Sequence, residues 1–120
     1  MSLFKREINL INNNGGGIGK IIGKIDLLFK FKKKLYCGEI KWTIPRNDFW
    51  SALKVVGYCA YYNWQNETWG GFDAGFPAIL IPKKHIKLEH KIVANNLKIA
   101  LFGIIETKDG EYLLENVNPF

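Results

Sequence analysis

The chain has 120 residues, a formal net charge of +6, 48% hydrophobic and 23% charged residues, the balance of one folded α+β domain over residues 1–120. That balance excludes intrinsic disorder over most of the chain, because enough apolar surface exists to offset the ordering entropy. Its apolar runs are too short for a helix that spans a bilayer.

In chain order, Phe4 to Ile11 reads as a first strand. The run Asn12-Asn13-Asn14-Gly15-Gly16-Gly17 tolerates positive φ and breaks it. From Gly23 to Phe31 the sequence alternates, with Ile25, Leu27, Phe29 and Phe31 against Lys24, Asp26, Leu28 and Lys30. Residues 35–44 alternate again, so the two runs form a long hairpin turning at Lys32, Lys33 and Lys34. Pro45 ends that strand, and Asn47 or Asp48 caps a helix over about 48 to 63, whose Phe49, Leu53, Val56 and Ala60 make its apolar stripe.

Residues 63–77 have no period and are rich in glycine and aromatic rings, which marks a structured loop. Ala78–Ile81 is a short strand ended by Pro82. Residues 85–93 alternate (Ile86, Leu88, His90 and Ile92 against Lys87, Glu89 and Lys91) and are assigned a strand. Residues 97–106 and 111–117 form a hairpin in which Gly110 supplies positive φ. The expected fold is a twisted, mostly antiparallel sheet of six to seven strands, curling toward a barrel, with one helix packed on it.

The positive charge is unevenly laid out. Residues 1–60 carry net +7, and residues 103–120, with Lys108 against Glu106, Asp109, Glu111 and Glu115, carry net −3. A basic body with an acidic end suits polyanions, an acidic partner, or contact between copies. Cys37 and Cys59 are too few for a disulfide scaffold and read as reduced thiols. The first residues, Met1 to Glu7, hold no apolar leader segment, so the expected compartment is the cytoplasm, with no membrane partner.

Motifs for chemistry are sparse. Gly15-Gly16-Gly17-Ile18-Gly19-Lys20 fails as a phosphate loop, because Asn14 stands where the first glycine belongs and Ile21 where a hydroxyl belongs. His85 and His90, five apart on a strand, face opposite ways and chelate no common metal; no cofactor or metal is expected. Glu67 and Asp73 share one loop without a recognisable catalytic offset.

Two features carry the functional expectation. One is the ring-rich loop, where Trp64, Trp69, Phe72 and Phe76 suit a partner's surface. The other is a basic strip whose Lys30, Lys32, Lys33 and Lys34 steer that partner. The leading reading is a non-catalytic protein-interaction domain, an assembly subunit or an immunity-type inhibitor of phage or plasmid character. It binds another protein or copies of itself. The alternative is a single-stranded nucleic-acid-binding module using Lys24, Lys30, Lys41 and Trp42. The third is a small enzyme pairing His85 or His90 with Glu67 or Asp73.

Overall fold

A computed structural model describes residues 2–12, 20–41, 51–66 and 74–120. Six strands lie in one sheet in their chain order. They are β1 (Ser2–Asn12), β2 (Lys20–Phe31), β3 (Lys34–Ile40), β4 (Gly75–Pro82), β5 (Ala100–Glu106) and β6 (Tyr112–Asn116). Two helices accompany them, α1 (Ser51–Gln65) between β3 and β4, and α2 (Leu88–Leu97) between β4 and β5. The fold is α+β, but two details of the sequence reading are corrected. The sheet is mixed, since β3–β4 and β4–β5 are parallel. It is also open, with β1 and β6 at its two edges.

The parallel β4–β5 pair and the second helix follow from one misread segment. The segment read as a strand over 85–93 is a short 3-10 turn (Lys83–His85) followed by α2. The period-two pattern misled because Leu88 and Ile92, counted as inward-facing, are exposed, while the buried positions are His90 and Ala94, with Val93 and Leu97 beside them. That is a helical stripe. A helix there makes β4–α2–β5 a crossover, and a crossover joins parallel neighbours.

The apolar alternation of the strands fills two layers. On one face, Ile79, Ile81, Ile99 and Leu101 pack with Val55 of α1 and Ala94 of α2, so both helices cover the same side. Consecutive crossovers of one hand between neighbouring strands require this. On the other face, Leu27, Phe29, Tyr36, Leu80 and Phe102 form an aromatic core. The Phe102 ring meets Phe29, Phe31 and Tyr36 edge-on, with centroids 5.1–5.4 Å apart. Phe120 folds back onto this layer, and its carbonyl accepts a 2.8 Å hydrogen bond from the Tyr36 hydroxyl.

Candidate functional site

The described site residues of the two binding readings sit at opposite ends of β3. At its amino end, β2 and β3 are joined by Lys32-Lys33, both left-handed (φ 48° and 68°). A two-residue turn of this hand matches the twist of a hairpin but favours Asn-Gly, because a Cβ is strained there. The ammonium groups gather on rings: Lys34 Nζ lies 5.1 Å from the centre of Phe76, and Lys32 Nζ 5.7 Å from that of Phe31. Phe76 is 43% exposed and Trp64, at the end of α1, 52% exposed. Lys30 is exposed beside the turn. Trp69, Phe72 and Trp42, with Glu67 and Asp73, lie outside the described residues.

Asn63 clamps this end. Its side-chain amide donates to the Gly75 carbonyl at 2.9 Å, and its Oδ1 accepts from the Gly75 N–H at 2.7 Å. Cys59 Sγ donates to the same carbonyl at 3.1 Å. A Cβ on Gly75 would stand 2.6 Å from Cys37 Sγ, so glycine is required by this close approach. Cys37 and Cys59 are buried, reduced neighbours. The Cys37 thiol is held far above its ordinary value by its hydrogen bond with Cys59 and by burial.

His85 and His90 do not form a site together. His85 is exposed in the 3-10 turn. His90 is buried in the first turn of α2, where its Nδ1 accepts the Lys87 N–H at 2.9 Å while the Lys87 carbonyl accepts the His90 N–H. Burial pushes its pKa below the usual histidine value. His90, expected on a strand, is a buried, hydrogen-bonded histidine capping a helix.

The basic strip does not run unbroken. Lys34 and Lys41 are seven positions apart, about 23 Å of extended strand. At the carboxyl end of β3, Lys24 and Lys41 flank two carboxyl groups, those of Asp26 and Glu39. The β2–β3 ladder stops at Leu27–Gly38, and Asp26 Oδ2 then takes the place of a main-chain acceptor for the Ile40 N–H, at 3.1 Å. In an extended strand one residue's N–H and C=O point to the same side, which puts the Ile40 carbonyl on the β2 side of β3. Glu39 is half-buried, within hydrogen-bonding reach of the Asp26 carboxyl. Lys41 Nζ stands 3.6 Å from Glu39 Oε1. Burial raises the Glu39 pKa, the neighbouring Asp26 charge raises it further, and Lys41 opposes both.

Sequence reasoning missed this constellation. The signal was an aspartate on one hairpin strand and a Glu-x-Lys triplet on the next, Asp26 with Glu39-Ile40-Lys41. Only the register showed that the two carboxylates meet. Comparison with known proteins finds no matching family model, no matching curated protein and no matching solved structure.

Proposed function

We propose that the chain hydrolyses phosphodiester bonds of nucleic acid with the help of a divalent cation, using Asp26, Glu39 and Lys41. The carrying observation is the Asp26–Glu39 carboxyl pair, half-buried with a lysine beside it, at the carboxyl end of β3, which pairs parallel with β4 and antiparallel with β2. Crevices outside the carboxyl ends of such strands are where α/β sheets bind ligands.

Three chemistries use two carboxyl groups. Glycosidases keep them about 5–9 Å apart, to flank a sugar; the close electrostatic coupling of Asp26 with Glu39 leaves less room than that. Aspartic dyads share a proton, but the Lys41 ammonium beside Glu39 favours two ionised carboxylates and weakens that reading. Two adjacent carboxylates suit a hard cation. Magnesium is commonly held by one or two carboxylates, with waters and substrate phosphate completing its shell. No group of three His, Cys, Asp or Glu side chains converges among the described residues, so the Ile40 carbonyl and water would supply the remaining protein-side oxygens.

The cation would neutralise the phosphate and polarise its oxygen. Asp26 and Glu39 would hold it. Lys41 would place positive charge where the attacking water and the phosphoryl oxygens meet. Water would add to phosphorus and lose a proton to solvent, while the ester P–O bond breaks and the leaving oxygen takes a proton from solvent. Lys24 and Lys41 would neutralise flanking phosphates.

The test is incubation of the purified chain with single- and double-stranded DNA and RNA in magnesium or manganese, with and without a chelator. Cation-dependent cleavage abolished by Asp26→Asn supports the reading. No cleavage of any of these substrates, or cleavage untouched by Asp26→Asn, overturns it.

A second reading is favoured by the other end of β3. Exposed Trp64 and Phe76, with lysines seated on Phe76 and Phe31, suit a non-catalytic contact surface for another protein. Partner capture that survives Asp26→Asn but fails with Phe76→Ala supports it.

A further inference from the structure

The far side of the sheet carries a feature that neither reading uses. Helix α2 packs on β5 through His90, Ala94 and their neighbours and turns Leu88 and Ile92 outward, 72% and 50% exposed. These two stand one turn apart, so they form an apolar ridge. Next to it, edge strand β6 exposes Tyr112 and Leu113, each 55%. Between the 3-10 turn that precedes α2 and the β5–β6 hairpin lies a hollow of about 920 Å³, lined by Lys83, Lys84 and His85 on one side and by Ile105, Glu106 and Tyr112 on the other.

Charge divides along the same line. Residues 83–91 carry four lysines (Lys83, Lys84, Lys87 and Lys91) and one acid, Glu89. Residues 106–115 carry four acids (Glu106, Asp109, Glu111 and Glu115) and one base, Lys108. The ridge side is net +3 and the strand side net −3. Within one chain they touch at the Lys83–Glu115 ion pair.

We propose that this surface binds a second copy of the chain across a two-fold axis, the basic ridge of α2 of each copy lying against the acidic β5–β6 hairpin of the other. A surface that carries both halves of a complementary pattern satisfies itself only when it meets its own rotated image. The apolar side chains double across the axis, which gives such an interface a desolvated centre inside a charged rim. The open backbone edge of β6 is covered by the same contact.

The test is sedimentation velocity at low and high salt. The wild-type chain is expected to sediment as a dimer that weakens as salt rises. Leu88→Asp with Ile92→Asp, both at exposed positions, is expected to give a folded monomer. Reversing the ridge (Lys84→Glu, Lys87→Glu, Lys91→Glu) or the hairpin (Glu106→Lys, Asp109→Lys, Glu111→Lys) should each weaken self-association at least about tenfold. Mixing the two reversed chains should restore a heterodimer, because both contacts across the axis become complementary again. A wild-type monomer, a dimer indifferent to Leu88→Asp and Ile92→Asp, or reversed chains that fail to associate on mixing would each overturn the proposal. None of these variants touches Asp26 or Glu39, so hydrolysis is scored separately.

Discussion

At the amino end of β3 the chain exposes its charge: a lysine turn of strained hand, ammonium groups over rings, and a tryptophan at a helix end. At the carboxyl end of the same strand it withdraws charge, placing Glu39 in a half-buried position against Asp26 with one lysine alongside. Exposed charges are screened by solvent and salt, and each contributes little. Half-buried like charges interact strongly and oppose folding. The second arrangement is the one with a standing cost in stability, and such costs are typical of sites kept for chemistry.

The largest expected effect separates the ends by activity. Asp26→Asn should lower cation-dependent cleavage at least about 100-fold, the scale of losing a group that acts on the reacting centre, measured as initial rate on labelled oligonucleotide. Replacing Lys32, Lys33 and Lys34 together by alanine should leave that rate at saturating substrate within a few-fold. A larger loss from the lysines than from Asp26 would reverse the comparison.

Next comes the clamp behind the amino end. Gly75→Ala brings a Cβ against Cys37 Sγ and should cost about 2 kcal/mol, the range for overpacking a core, read from urea denaturation. The contrast is Gly57→Ala on α1, where a Cβ meets nothing within 4 Å and the helix should gain about 0.5–1 kcal/mol.

Smaller is the turn itself. Lys32→Asn with Lys33→Gly should stabilise by about 1 kcal/mol, because both positions are left-handed and these residues accept that conformation. Thermal melts of the pair against wild type would show it.

The smallest effect has the most informative sign. The Glu39 pKa is raised in the folded state, so the fold binds that proton more tightly than the unfolded chain does. Its contribution is fully present below the ordinary glutamate range and is lost as pH rises through the folded value. Glu39→Gln should therefore raise the melting temperature at pH 7, with the gain shrinking toward pH 4. A variant that is both more stable and inactive would mark Glu39 as held for function. His90 gives the opposite slope: its pKa is lowered, so stability should fall as pH drops through the ordinary histidine range.

Much of the fold was legible because strand alternation is a local signal. Residues 23–31 and 35–44 were assigned as a hairpin, whose ladder runs from Phe31–Lys34 to Leu27–Gly38, and Gly110 as the positive-φ residue of the last turn, where it has φ 78°. The 85–93 segment was misread because, over nine residues, Ile86, Leu88, His90 and Ile92 fit a strand about as well as His90, Ala94 and Leu97 fit a helix. Burial of His90 and exposure of Leu88 decide between them, and burial is a tertiary quantity. The named rings met the same limit: Trp64 and Phe76 proved exposed, whereas alternation alone does not give the exposure of a loop or helix-end residue.

From sequence alone came the strands of the first hairpin, the long helix before the aromatic loop, the last hairpin and the uneven charge, all set by residues within a few positions of each other. Tertiary structure alone decided that the sheet is mixed and open, that Cys37 meets Cys59 beside Gly75, and that Asp26 reaches Glu39 thirteen residues away. The physical reason is register. A hairpin's pattern says which residues share a face, but the hydrogen-bond ladder, and where it stops, fixes which two of them touch.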